Sequence, residues 1–241
     1  MELNQLIDKI HNADCIEEMK KLPDECIDLI VTDPPYLINY ASHNRNNKND
    51  RFCKPILNDT NPQIIVDFIA QAYRLLKQNS AMYMFCSFDK VDFFKQELQK
   101  YFTIKNMIVW VKNNGTMGDL EAQYGKQYEL IFYVNKGRRK INGKRLTDVW
   151  QFERVAGGEQ YHQNEKPIKL IMQCIEKSSN VNDIVLDGFM GSGTTAIACQ
   201  SLNRHFIGYE LDKGYYDICI KRLNGQSNKQ IKSGYEQIKL F

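Results

Sequence analysis

The chain has 241 residues, of which 43% are hydrophobic, so it is long enough to bury the core of one α/β domain. Its formal net charge of +3 is too small to identify nucleic acid as a partner, so the positions of the charges matter more than their sum. The seven scattered cysteines predict reduced core residues in a cytoplasmic protein, and neither a metal motif nor a signal peptide nor a membrane span is predicted.

The first informative residue in the chain is Asp14, which precedes a helical stretch over residues 16–22. Its side-chain oxygen is suited to accept hydrogen bonds from the free N–H groups at the start of that helix. One interpretation of Asp14 is therefore a helix cap.

An apolar strand is predicted over residues 27–32, and it runs into Asp33, Pro34, Pro35 and Tyr36. Proline lacks the N–H that a strand needs and restricts the residue before it, so the strand ends there. In an open α/β sheet this point is the carboxyl edge, where ligands bind. We therefore predict that a carboxylate, free carbonyls and an aromatic ring face one pocket. The alternative is an ordinary strand-ending turn.

Helices and strands alternate through the middle of the chain. Helices are predicted over 64–77 and 91–101, and strands over 81–86, 104–111 and 128–135. This alternation predicts a doubly wound, mostly parallel sheet with helices on both faces, in a single domain that spans residues 1–241.

Two segments rich in basic residues interrupt this pattern. The loop 39–59, which we call the post-turn loop, follows Tyr36 closely and carries Arg45, Lys48 and Arg51. The second segment, which we call the strand-end cluster, consists of Lys136, Arg138, Arg139 and Lys140. A solvated charge run is the usual explanation of such a cluster. Contacts with nucleic acid are the other explanation.

Two further segments predict binding residues in the second half of the chain. Lys166 and Pro167 precede an apolar-periodic stretch, which predicts a helix with proline in its first turn. A strand over 183–187 then runs into a glycine-rich turn, residues 188–195, which offers free amides and a close backbone approach to a ligand. The next strand, 205–209, ends at Glu210, where a carboxylate that binds ribose hydroxyls is expected. This series predicts a nucleoside site.

The segments Asp33–Tyr36 and Phe189–Thr195 together resemble the two main motifs of the DNA amino-methyltransferases. These enzymes transfer a methyl group from S-adenosylmethionine to an exocyclic amine of a base. The catalytic motif precedes the cofactor motif, which resembles the circularly permuted beta class. The resemblance covers nearly the whole chain and implies a Rossmann-like fold whose two motif-bearing strands are neighbours. Gly188 departs from the family, which usually has proline there, and Glu165 replaces the more usual glutamine.

The resemblance implies roles for individual residues. Asp33 and the Pro34 carbonyl would accept the two amine hydrogens, Pro35 would complete the turn, and Tyr36 would stack on a base that is flipped out or single-stranded. The cofactor-binding residues that it implies are Asp14, Lys166, Asp187, Phe189, Gly191, Ser192, Gly193, Thr194 and Glu210. For Asp14, the cap and the contact with the cofactor's adenine are both open.

The resemblance also implies a DNA partner. It places a target-recognition insertion at residues 112–161, which puts the strand-end cluster beside the pocket, so this cluster would contact DNA together with Arg45, Lys48 and Arg51. The insertion is short, which is compatible with a short recognition site, with help from a second subunit in a homodimer, or with modest sequence selectivity. The family implies a cytoplasmic protein encoded by a bacterium or a phage.

Aspartate at the head of the first motif is typical of the enzymes that modify adenine, which predicts methylation of its 6-amino group. The 4-amino group of cytosine is the alternative substrate. Protein glutamine methyltransferases have asparagine at this position and the opposite motif order. A DNA-binding regulator without turnover is a candidate from another class, and a dinucleotide-dependent dehydrogenase is disfavoured because no residue plays its catalytic acid.

Overall fold

The computed structural model describes residues 3–38, 57–115, 119–155, 161 and 165–225. Within these ranges eight strands form one sheet, in the order β1-β8-β7-β2-β3-β5-β4-β6. The strands are β1 Lys9–His11, β2 Ile27–Thr32, β3 Leu76–Cys86, β4 Thr103–Val111, β5 Tyr128–Lys136, β6 Val149–Gln151, β7 Ile184–Asp187 and β8 His205–Tyr209. Only β5 runs antiparallel to its neighbours in this described sheet.

Helices cover both faces of the sheet. They are α1 Cys15–Met19, α2 Gln63–Leu75, α3 Val91–Gln99, α4 Ile168–Ser178, α5 Thr194–Ser201 and α6 Lys213–Leu223. The first three pack on one face and the last three on the other, each around its own apolar cluster. The doubly wound, mostly parallel α/β fold predicted from the sequence is therefore confirmed.

Strand β3 shows how one apolar run serves both clusters. Met82 and Met84 face the layer of α1–α3, and Tyr83 and Phe85 face the layer of α4–α6, as alternation along a strand requires. The strand begins at Leu76, directly where α2 ends, which is five residues before the predicted start. The short strands β1 and β6 and the helix α6 were not predicted.

The sheet order brings the two motif-bearing strands together. Strand β2 lies beside β7, with Leu29 opposite Val185 and Ile30 opposite Leu186. From this pair the chain continues outward in opposite directions, to β3 on one side and to β8 on the other. This is the switch point at which doubly wound sheets bind ligands. The prediction that the two strands are neighbours is confirmed.

The direction of β5 overturns the predicted position of the strand-end cluster. Leu130 pairs with Cys86 at the carboxyl edge of the sheet, whereas Lys136 pairs with Ser80 near the opposite edge. At about 3.4 Å per residue, the nine residues of β5 span about 27 Å. The cluster follows the far end of this strand, so the prediction that it lies beside the pocket is wrong.

Two members of the strand-end cluster stabilise the fold. Lys136 is buried, and its ammonium donates hydrogen bonds to the carbonyls of Tyr73, at 3.0 Å, and Leu76, at 2.8 Å. Its predicted role as a phosphate contact is therefore wrong. Arg139 donates from Nε to the Ser178 carbonyl at the end of α4, at 3.1 Å.

No helix in the described ranges is long and apolar enough to cross a membrane. The six cysteines that fall within those ranges are buried free thiols, as predicted for core residues.

Candidate active site

A cavity of about 590 Å³ opens at the carboxyl ends of β2 and β7. Its volume falls within the range of about 300–1,000 Å³ that is usual for small-molecule sites. The predicted site residues that line it are Asp14, Asp33, Pro34, Pro35, Tyr36, Lys166, Asp187, Phe189, Gly191, Ser192, Thr194 and Glu210. The fold thus brings the two halves of the predicted site to one cavity.

The glycine-rich turn is shaped by its packing on α6 and by left-handed backbone. Gly193 has a φ of +88°, and a Cβ at this position would lie 2.2 Å from the Cys219 sulfur. Gly191 has a φ of +55°, and its N–H donates to Glu210 Oε2 at 2.8 Å. Glycine is required at Gly193 because both the conformation and the space exclude a side chain. Unlike the other predicted members of the turn, Gly193 faces the protein.

Gly188 is explained by its neighbour on α2. A Cβ at Gly188 would lie 2.4 Å from Phe68 Cε2, so the ring of Phe68 fills the space that a larger residue would need. Phe68 also contacts the Phe189 ring, with 5.1 Å between the ring centroids. The departure from proline at this position is therefore matched by the aromatic packing around it.

Asp187 joins the two halves of the site. Its Oδ1 accepts hydrogen bonds from the hydroxyl of Thr32 on β2, at 3.1 Å, and from Phe189 N, at 3.0 Å. Its Oδ2 accepts from the Thr195 hydroxyl at 2.6 Å. Burial raises the pKa of Asp187 to about 6, although these three donors oppose the shift. The side chain holds the turn in place at the wall of the cavity.

Asp14 caps α1, which was one of its two interpretations. Its Oδ1 accepts from Ile16 N at 2.8 Å and from Glu17 N at 3.3 Å. Asp14 also lines the cavity. A contact with the cofactor's adenine remains a prediction that is compatible with the cap.

Glu210 lies at the end of β8 with both carboxylate oxygens in use. Oε2 accepts from Gly191 N, and Oε1 accepts from Asp212 N at 2.7 Å. Burial raises the pKa of Glu210 to about 7, and the charges of Asp212 and Asp187 add to the rise, against the two N–H donors. Each carboxylate oxygen has a further lone pair. These fit the hydroxyl donors of a ribose.

The Asp33 carboxylate is held from two sides. The Tyr36 hydroxyl donates to Oδ1 at 2.5 Å, and the Lys166 ammonium lies 2.5 Å from Oδ2. Lys166 comes from the segment just before α4, so its charge reaches the predicted catalytic turn, Asp33–Tyr36, as well as the cavity. The side chain of Asp33 is 24% exposed, whereas that of Lys166 is 6% exposed.

Two residues of this group, Glu129 and Lys112, were missed from the sequence. Glu129 Oε2 lies 3.3 Å from the Lys166 ammonium and accepts from the Tyr36 hydroxyl at 3.2 Å. Its other oxygen, Oε1, lies 2.5 Å from the Lys112 ammonium. Glu129 is a lone acid in the apolar strand β5, which was a signal available in the sequence.

The charges of this group set its protonation states. Burial raises the pKa of Asp33, and Glu129 adds to the rise, while Lys166 opposes it. Burial alone would lower the pKa of Lys166, but the two carboxylates outweigh it and raise this pKa. The two lysines likewise outweigh burial and lower the pKa of Glu129. Burial and the adjacent carboxylates raise the pKa of Tyr36, so its phenol stays neutral.

Glu165, which stands where the family usually has glutamine, forms an ion pair with a residue of α6. Arg222 is buried; its Nη2 lies 2.9 Å from Glu165 Oε1, and its Nη1 donates to the Ser192 carbonyl and hydroxyl at 2.7 and 2.8 Å. The guanidinium carbon lies 4.4 Å from the centroid of the Tyr161 ring. Arg222 therefore ties the glycine-rich turn to the segment that carries Lys166.

The residues predicted to contact DNA belong to two segments, the post-turn loop and the strand-end cluster. Arg45, Lys48 and Arg51 lie outside the described residues, so their role stays a prediction. Within the predicted insertion at 112–161, the segment between β4 and β5 connects strand ends at the carboxyl edge of the sheet, and the segment between β5 and β6 begins at the opposite edge.

Comparison with known proteins identifies similar sequences and structures. A family model described as "DNA methylase" matches residues 27–221. The DNA adenine methyltransferase YhdJ of Escherichia coli K12 is 32% identical, over 91% of this chain and 83% of its own length.

Solved structures show the same similarity. The M1.HpyAVI–SAM complex matches with 29% identity and a TM-score of 0.65, over 90% of this chain and 98% of that one. The cytosine-N4-specific PvuII DNA methyltransferase matches with a TM-score of 0.70 over 89% of this chain and 85% of that one. Its identity of 16% supports a common fold only.

Proposed function

This chain belongs to the DNA methylase family, and from that premise we propose that it methylates the 6-amino group of adenine in DNA. The observation that carries the proposal is the single cavity shared by Asp33 and the glycine-rich turn. The identity with a relative named as a DNA adenine methyltransferase supports adenine, as does the aspartate at the head of the catalytic turn.

The cavity fits S-adenosylmethionine, the methyl donor of this family. When bound, this cofactor supplies the methyl group on a sulfonium centre. Glu210 would hold the ribose, because its carboxylate lines the cavity and has lone pairs that its backbone donors leave available. Phe189, Gly191, Ser192 and Thr194 line the same cavity. The arrangement resembles nucleoside sites at helix N-termini.

Asp33 would hold the target amine. An exocyclic amine is a poor nucleophile because its lone pair is delocalised into the ring, so the amine must be fixed with that lone pair aimed at the methyl group. The Asp33 carboxylate and the Pro34 carbonyl accept its two hydrogens and orient it. The raised pKa of Asp33 makes its carboxylate a better proton acceptor than an ordinary one. It takes the proton late, once the amine has become cationic.

Tyr36 would provide the stacking surface for the base. Its ring is oriented by the hydrogen bond from its hydroxyl to Asp33. Contacts between a base and an aromatic ring are worth about 1–3 kcal/mol. A base inside a duplex cannot reach this cavity, so the target is flipped out or single-stranded.

The DNA would approach the carboxyl edge of the sheet. Arg45, Lys48 and Arg51 follow Tyr36 closely in the sequence, and we propose that they contact phosphates there. The strand-end cluster, by contrast, lies at the opposite edge. The segment between β4 and β5 is the part of the insertion that would read the sequence around the target. We further propose a cytoplasmic enzyme, and a homodimer as the means by which a short insertion recognises its site.

Methyl transfer from labelled S-adenosylmethionine to unmethylated DNA tests the proposal. We expect transfer by the wild-type protein and a loss of several orders of magnitude in Asp33→Ala. Calorimetry should show that this variant still binds the cofactor, because the partner of Asp33 is the target amine. Cofactor binding without transfer by the wild type would favour a DNA-binding regulator, and loss of cofactor binding in Asp33→Ala would overturn the assigned role.

A further inference from the structure

The Lys112–Glu129 pair lies next to Tyr36 of the catalytic turn, where the neighbouring strands β4 and β5 are connected. Glu129 is near the start of β5, and Lys112 immediately follows the end of β4. The ion pair is largely buried, since the Lys112 side chain is 16% exposed and that of Glu129 is 20% exposed. Neither residue belongs to the motifs by which the site was recognised.

We propose that Glu129, held by Lys112, is a positioning residue for methyl transfer: it shares Lys166 and Tyr36 with Asp33, so that the Asp33 carboxylate stays able to accept the target amine. This inference rests on the proposed function. It assigns to the β4–β5 end of the sheet a part in the reaction.

The first argument comes from the hydrogen-bond donors. The Tyr36 hydroxyl has one hydrogen and faces two carboxylates, at 2.5 Å from Asp33 and 3.2 Å from Glu129. The Lys166 ammonium lies between the same two carboxylates. Without Glu129, both donors would turn more fully to Asp33. The Asp33 oxygens would then be weaker acceptors for a neutral amine, because charge-assisted bonds to Lys166 would compete with it.

The second argument comes from the balance of charge. Two carboxylates and two ammonium groups form a neutral set, which is the condition under which buried charges are tolerated. Removing Glu129 leaves two lysines facing one carboxylate. Removing Lys112 leaves Glu129 to draw Lys166 away from Asp33. The two changes therefore push the protonation of Asp33 in opposite directions.

Several titratable groups face Asp33 and affect how a change in its pKa is interpreted. Among the residues that the structure describes they are Lys166, Glu129, Tyr36, Cys86 and Asp187, with Lys112 acting through Glu129. Burial raises the pKa values of the Tyr36 phenol and the Cys86 thiol well above neutrality, so neither gains charge near neutral pH. Asp187 faces the glycine-rich turn and is unchanged in the variants described below.

The test is the pH dependence of kcat for Glu129→Gln and Lys112→Met, with labelled cofactor and unmethylated DNA. We expect Glu129→Gln to lower kcat about 10- to 100-fold, with little change in cofactor affinity. The acid limb of its pH profile, where kcat falls as the pH decreases, should move to lower pH, because Asp33 loses a neighbouring negative charge. The acid limb of Lys112→Met should move to higher pH. A role in stability alone would move neither limb.

Glu97→Gln is the matched control, because Glu97 is also a largely buried glutamate paired with a lysine, Lys100 at 2.6 Å, but it lies on α3 outside the cavity. It should leave kcat and the pH profile unchanged. Absence of transfer by the wild type would defeat the proposed function itself. Transfer by the wild type, with both Glu129→Gln and Lys112→Met keeping the wild-type pH profile, would overturn only this inference. If Glu129→Gln does not fold, the direction of the shift in Lys112→Met decides.

Discussion

Cofactor affinity should depend on pH through Glu210. The pKa of this carboxyl is raised to about 7 in the protein, chiefly by burial. Ribose hydroxyls donate to the ionised carboxylate and favour it, so cofactor binding lowers the pKa. Affinity is therefore highest above about pH 7 and falls as the pH drops through this value, because protons then compete with the ligand.

The size of the effect follows from the pKa. Below the pKa that Glu210 has without cofactor, each decrease of one pH unit reduces cofactor affinity by a factor that approaches ten. With a pKa of about 7, affinity should fall about tenfold between about pH 8 and about pH 6. Asp187, with a pKa of about 6, steepens the fall only at lower pH.

Isothermal titration calorimetry of S-adenosylmethionine across this range measures the effect directly. Glu210→Gln should bind more weakly, by about 1.5–3 kcal/mol, and should lose the pH dependence above about pH 6. Titrations in buffers of different ionisation enthalpy should show release of a proton by the wild type only. Equal pH dependence in both proteins, or affinity that rises as the pH falls, would refute this reasoning.

Three further predictions concern DNA binding and stability. Neutralising Arg138 and Lys140 together should leave the log–log salt slope of DNA binding unchanged, whereas neutralising the three predicted DNA contacts of the post-turn loop should reduce it by about 0.9 for each lost contact; the reverse pattern would put DNA at the other edge of the sheet. Gly188→Ala should lower the free energy of unfolding in chemical denaturation, and less so in a Phe68→Leu background, because the smaller side chain removes the clash; equal losses in both backgrounds would exclude this explanation. In the free protein, the pKa of Glu210 is raised from 4.5 to about 7, so between these pH values the folded state binds a proton that the unfolded chain has released. The stabilisation by this proton is lost as the pH rises from about 4.5 to about 7. Over this range the free energy of unfolding of the wild type should fall relative to that of Glu210→Gln, and a relative rise would contradict the sign.

Local chemistry made the two motifs predictable from the sequence. The prolines after Asp33 stop a strand, and the glycines after Asp187 permit a tight turn, so both signals depend on only a few neighbouring residues. Their adjacency in the sheet followed from the requirement that both act on one ligand. The same local reasoning found the cap at Asp14 but left a second role for it open.

Strand direction was not predictable in this way, and it decided where the charges lie. An apolar run such as β5 has the same sequence pattern in a parallel and in an antiparallel strand. Its antiparallel direction moves the strand-end cluster away from the cavity and brings Glu129 to the hydroxyl of Tyr36. Lys136 was predicted to contact DNA because its neighbours are basic, whereas its carbonyl partners come from α2 and the start of β3. Such partners lie too far away in sequence for a local pattern to show them.

The most direct test of the central claim is the identity of the methylated base. Unmethylated DNA is treated with the pure protein and labelled S-adenosylmethionine, digested to nucleosides and separated by chromatography. The account predicts that the label is recovered in 6-methyladenine with the wild type and is absent with Asp33→Ala. Label recovered chiefly in 4-methylcytosine would contradict the assignment to adenine, and label that persists in Asp33→Ala would contradict the role of the catalytic turn.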